Sequence, residues 1–199
     1  MMTRSEFIES ELIASSIRGA FQRGRVYIAS RSEDEARLEM ENIRTELRNE
    51  ITVLLRRFLL EYKEAVTSDI HKNNIEKIAA GLTTEFAGKG ILYRDKFRIG
   101  TAQKLLNLYL KYMWCLGKVA TPPHCPFDSR IIAHLPLTER QKQELQWTRL
   151  DSLTDYQVLV DAAYLKIQET GEASLAEWEL GVWSSGFASV EMSQENVVR

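Results

Sequence analysis

From 32 to 66 the chain carries an unbroken amphipathic pattern. Leu38, Ile43, Leu47, Ile51, Leu54, Leu55, Phe58, Leu59 and Tyr62 recur at steps of three, four and five residues. A strand would scatter this stripe over both of its faces, whereas a helix of roughly nine turns gathers it on one side. Ser32 stands as the N-cap, with Glu33, Asp34 and Glu35 in the first turn, where the helix dipole favours acids. A helix of that length needs a partner for its apolar face. The choices are an antiparallel hairpin with a preceding helix, built on Phe7, Leu12, Ile13, Ile17 and Phe21, or a homodimer through residues 32–66.

The remainder follows the same period. Ile70, Ile75, Ile78, Ala79, Leu82 and Phe86 mark a helix over 70–86, capped by Ser68 or Asp69 and ended by Gly88 and Gly90. A loop or extended piece covers 91–99, and a strongly apolar helix runs over 101–117. Pro122, Pro123 and Pro126 then break the pattern, and short helices follow Asp128 and Leu137. Longer ones are predicted over 154–169 and, after Ser174, over 175–183. No strand alternation and no repeat is present. The expected fold is all-α, a compact multi-helix domain over 1–199. Within it, 1–66 form a helical hairpin or extension, 67–186 the helical core and 187–199 a frayed tail.

At 199 residues with 44% apolar and 27% charged residues, wholesale disorder is excluded. No apolar run reaches the roughly 18 residues of a membrane span. The Met-Met-Thr-Arg-Ser-Glu start lacks the apolar segment of a secretory signal, and two cysteines make no disulfide framework. These features lead us to expect a cytoplasmic protein with no membrane partner and no cofactor. The net charge of -2 conceals an asymmetry. Residues 89–118 carry Lys89, Arg94, Lys96, Arg98, Lys104, Lys111 and Lys118 against Asp95 alone, a net +6, while residues 139–199 are net -6. Such a local excess either attracts phosphates or is neutralised by the acidic segment across the fold.

The basic segment also holds the residues with chemical potential. Gly100 opens a helix, and Lys104 follows in its first turn, where exposed N–H groups favour an anion. Gln103, Lys104, Asn107 and Lys111 share one side of that helix. Asp128 follows after the proline-rich turn. Gly100-x-x-x-Lys104 and Pro126-Phe127-Asp128 resemble the core of helix-hairpin-helix DNA glycosylases, including the archaeal-type 8-oxoguanine glycosylases, over residues 98–132. The second hairpin glycine of that family and its preceding proline are absent, since Arg98-Ile99 precede Gly100. The same segments, with Trp147-Thr148 and Glu177-Trp178-Glu179, also resemble a family of short uncharacterised bacterial proteins, which implies no activity.

The glycosylase resemblance implies DNA as partner and a damaged base flipped into a pocket. Lys104 would attack the sugar C1′ and form a Schiff base. Asp128 would stabilise the cationic sugar and orient the attacking group. Arg94, Lys96, Arg98, Gly100, Gln103, Asn107 and Lys111 would contact the nucleic acid. Trp114, Trp178 or Trp183 would stack on the base. On this reading Lys104 and Asp128 converge in a basic cleft. The alternative is a non-enzymatic helical interaction or oligomerisation subunit of a bacterial complex, in which Lys104 is paired on the surface and Asp128 only caps a helix. Cys115, His124, Cys125 and His134 have zinc-binding atoms at a spacing unlike the usual fingers. Cys125 is a minor nucleophile candidate, Arg130 and His134 an incomplete ribonuclease-like pair, and His71 a surface residue on its pattern.

Overall fold

The computed structural model describes residues 2–29 and 34–195. Eight α-helices lie within them: α1 (Arg4–Phe21), α2 (Asp34–Glu61), α3 (Ser68–Phe86), α4 (Ile99–Cys115), α5 (Ser129–Ala133), α6 (Glu139–Glu144), α7 (Leu153–Thr170) and α8 (Leu175–Glu195). A 3-10 turn, Tyr93–Asp95, precedes α4. The described residues contain no strand, and one isolated bridge joins Tyr27 to Leu92. The all-α expectation holds. The expected cap at Ser32 and Glu33 falls outside the described residues.

Local chemistry explains most boundaries. Thr3 and Glu6 close α1 with a capping box, the Thr3 N–H donating to Glu6 Oε2 at 2.7 Å. Thr67, one residue earlier than expected, caps α3. Ser152 caps α7, and Gly171 ends it at φ 83°, a conformation that suits glycine. Asp128 caps α5 as the sequence suggests, Oδ1 accepting the N–H groups of Arg130 and Ile131 at 3.0 and 3.1 Å. Two differences stand out. α2 stops at Glu61 rather than near Val66. α8 continues to Glu195, where a frayed tail from 187 was expected; residues 187–195 contain no glycine or proline to stop it.

α4 lies at the centre and packs on α1, α2, α3 and α7. Ile99, Leu105, Leu106, Tyr109, Leu110 and Met113 are all buried, so apolar residues cover more than one face, as an interior helix requires. α1 meets α2 along a smaller contact, where Arg56 pairs with Glu9 at 3.2 Å, and packs chiefly on α4. Gly19 permits this approach, since a Cβ there would lie 2.8 Å from the Leu108 side chain. Met40, Leu47, Ile51, Leu55 and Phe58 of α2 join the same core. Most of the stripe considered for a homodimer through 32–66 is therefore used within the chain, while Leu38 at its start stays exposed. At full burial such side chains each contribute about 1.5–3 kcal/mol. No helix among the described residues is long and apolar enough to cross a membrane.

Candidate functional site

The N-terminus of α4 is closed rather than open to an anion. The Gly100 N–H donates to Leu150 O at 2.9 Å. A Cβ on Gly100 would sit 1.8 Å from Trp147 O, so the glycine is needed for the close approach of the 147–150 turn. This corrects the expectation that Gly100 meets a phosphate: its N–H is already spent inside the fold.

Lys104, one turn on, projects from this buried junction. Its Nζ lies 3.8 Å from Asp128 Oδ2 and 4.1 Å from the centre of the Trp147 ring. The first distance is an ion-pair contact and too long for a hydrogen bond. Burial pushes the Lys104 ammonium below its ordinary pKa; Asp128 opposes the shift and the Arg23 charge adds to it. Asp128 thus divides its carboxylate. One oxygen caps α5, and the other faces the amine.

Lys104 and Asp128 open on a cavity of about 430 Å3 formed between α1, α4 and α8, with Gln22, Tyr112 and Trp183 in its wall. Lys111 reaches the same cavity two turns along α4. Its Nζ lies 2.7 Å from Oε2 and 2.9 Å from Oε1 of Glu179, which is fully buried. Burial raises the Glu179 carboxyl above its ordinary value, and Lys111 counters this. Arg130 donates to Val182 O at 2.9 Å and stacks on Trp183 at 4.9 Å, holding α8 against α5.

Gln103 and Asn107 were expected to touch nucleic acid, and both are buried behind the site. The Gln103 amide clamps the Phe127 backbone: Nε2 donates to Phe127 O at 2.8 Å, and Phe127 N–H donates to Oε1 at 3.2 Å. The residue next to Asp128 is thereby tied to α4, one position before Lys104. Asn107 donates to Gln103 Oε1 and to Tyr156 Oη, both at 3.3 Å. Tyr156 Oη lies 2.9 Å from His124 Nδ1, and His124 Nε2 lies 2.8 Å from Ser68 Oγ. His71, expected on the surface, is fully buried with Nδ1 2.6 Å from Tyr62 Oη. Burial lowers its pKa to about 3 and that of His124 well below the usual histidine value.

The other predicted contacts divide by position. Arg94 and Lys96 are exposed, Lys96 pairing with Asp151 at 3.0 Å. Arg98 instead donates to the carbonyls of Gly24, Arg25 and Thr148. Among the tryptophans, Trp178 is core, Trp114 half-buried, and Trp183 lines the cavity. Trp147 is buried with its ring under Lys104. Cys125 is buried and its thiol is pushed well up in pKa, which suits packing rather than nucleophilic attack. Among the described residues no group of three or more His, Cys, Asp or Glu is placed to hold a metal. No protein family, curated protein or solved structure matches the chain.

Proposed function

We propose that the chain is a nucleic-acid-binding protein that acts as a DNA glycosylase and abasic-site lyase, with Lys104 as nucleophile. The supporting observation is the juxtaposition of a mostly buried, pKa-lowered Lys104 and Asp128 in the wall of an aromatic-lined cavity. Its size falls within the roughly 300–1,000 Å3 of small-molecule sites. In the reaction a flipped nucleotide enters this cavity. Lys104 Nζ, as the free amine, forms a bond to the sugar C1′, and the N-glycosidic electron pair leaves with the base. Asp128 stabilises the cationic sugar during that step. Loss of the amine proton and ring opening then yield the Schiff base. A lowered lysine pKa raises the fraction of reactive amine.

The experiment is borohydride trapping on duplex DNA carrying an abasic site and, separately, 8-oxoguanine, with Lys104→Gln beside the wild type. A covalent adduct lost in the variant is the expected result. Absence of an adduct on both substrates, together with no salt-sensitive retention on DNA, overturns the reading and leaves the non-enzymatic helical subunit.

A further inference from the structure

A second cavity, of about 650 Å3, opens between the end of α1, the 3-10 turn and the 148–151 stretch before α7. Six cationic side chains line it, Arg23, Arg25, Arg94, Lys96, Arg98 and Arg149, against the single carboxylate of Asp151. Two of the six are accounted for. Lys96 pairs with Asp151, and Arg98 braces the cavity by bonding to the carbonyls of Gly24, Arg25 and Thr148. Arg98 therefore ties together the segments that present Arg23, Arg25 and Arg149. Those three and Arg94 have no carboxylate partner among the described residues.

The backbone supports the same reading independently. Arg23, Arg25 and Arg94 adopt φ of 63°, 46° and 58°, and Asp95, beside Arg94 in the 3-10 turn, adopts 51°. This left-handed region is disfavoured for a residue with a Cβ, and such strain persists where surrounding structure imposes it, commonly at ligand sites. Three of the four guanidinium groups without a carboxylate partner thus line one concavity from left-handed backbone, Arg94 over the Tyr93 ring at 5.4 Å. Glycine would fit these positions better and would carry no charge.

We propose that this cleft binds clustered phosphate groups, either successive phosphates of a nucleic-acid strand or a nucleoside diphosphate. A lone phosphodiester carries one charge and leaves most of four guanidiniums unsatisfied. Two adjacent phosphates match them, because each planar fork donates to phosphate oxygens in pairs. The cleft adjoins the Lys104 cavity through consecutive residues: Gln22 lines that cavity and Arg23 this one, while Trp147 lies under Lys104 and Thr148 and Arg149 line the cleft. The strand form rests on the nucleic-acid reading above; the diphosphate form does not.

The test titrates the full-length chain with pyrophosphate, a nucleoside diphosphate and a short single-stranded oligonucleotide. The variant is Arg23→Gly/Arg25→Gly/Arg149→Gln, and Lys63→Gln/Lys118→Gln/Lys166→Gln removes the same net charge elsewhere. The arginine variant is expected to lose at least about tenfold in affinity for the probe that binds, the size of a single charge-assisted contact. The lysine control changes affinity by less than about twofold to threefold, the scale of a screened surface effect. The Tm of the arginine variant stays level or rises, since glycine relieves the positive φ. An oligonucleotide bound more tightly than the diphosphate identifies the strand as source, and the reverse order identifies the nucleotide. Equal losses in both variants, an unchanged arginine variant, or no binding by any probe overturns the proposal. No probe contains an abasic sugar or damaged base, so this outcome is read separately from Lys104 chemistry.

Discussion

Two lysines on α4, seven residues apart, open on one cavity in nearly matched settings. The Lys104 and Lys111 side chains are 11% and 12% exposed, each lies over a tryptophan, and each faces a carboxylate. Their carboxylates separate them. Glu179 is fully buried, has no helix terminus to cap, and closes on Lys111 at 2.7 Å. Asp128 spends one oxygen on the first turn of α5 and leaves the other 3.8 Å from Lys104. A tightly matched buried pair holds its charges in place, and removal of either partner leaves the other stranded. A loose pair leaves a buried amine whose charge is incompletely compensated, which favours the neutral form. Lys111 is thus suited to holding α8 on α4, and Lys104 is the looser amine on which the proposed chemistry relies.

The largest expected effect tests the tight pair. Glu179→Ala strands Lys111 and should cost about 3–5 kcal/mol, read as a fall in denaturant midpoint. A loss under about 1 kcal/mol, the scale of an exposed pair, would erase the contrast between the two lysines. Next comes the clamp behind the loose pair. Gln103→Ala leaves buried groups of Phe127 unpaired and should cost about 1–3 kcal/mol. By loosening Asp128 it should also slow adduct formation about a hundredfold, with DNA affinity held within a few-fold. Equal trapping rates in Gln103→Ala and wild type would show that the clamp does not position the site.

The pH dependence sharpens the comparison further. Lys104 has a folded pKa below its unfolded value of about 10.4, so between the two the unfolded chain binds more protons. Its contribution to stability therefore rises as pH climbs from the folded value toward about 10.4, and trapping should accelerate over the same range. Glu179 has the opposite slope. Its folded pKa is raised, so its contribution falls as pH rises from about 4.3 through the folded value. Stability measured against pH for wild type, Lys104→Met and Glu179→Gln should show these opposite signs; parallel curves for Lys104→Met and wild type in the alkaline range would refute the burial of the amine. The smallest stability change belongs to Asp128→Asn. Asparagine caps about as well as aspartate, so the cost is that of the loose Lys104 contact and should stay below about 1 kcal/mol. Trapping should nonetheless fall about a hundredfold or more, because the charge facing the cationic sugar is gone. Full activity in that variant would reduce Asp128 to a cap.

Much of the helical layout was legible because periodicity and caps act over a few residues. The long stripe from Leu38 to Tyr62 required a helix, and Asp128 announced the start of α5. The site was legible in part. Lys104 and Asp128 stood out by residue type and order. Gln103 and Asn107 looked like surface polar residues because they share a helix face with Lys104. The structure covers that face with Phe127 and Tyr156, which turns both amides into internal clamps. The arginine cleft escaped the charge count altogether. Arg23, Arg25 and Arg149 lie outside the basic stretch at 89–118 and meet it only through folding. The Arg23-Gly24-Arg25 sequence at a helix end was the available local signal.

What the sequence determined by itself was therefore an all-α chain, its principal helices and two residues worth pairing. These depend on the period of apolar side chains and on capping groups within a turn of the backbone. The tertiary structure alone decided which face of α4 is interior, how Asp128 shares its two oxygens, which lysine is tightly matched, and that arginines from three separate segments line one cavity. Those properties depend on distances between residues far apart in the chain and on the water excluded between them. Burial then determines whether a charge is compensated or left reactive.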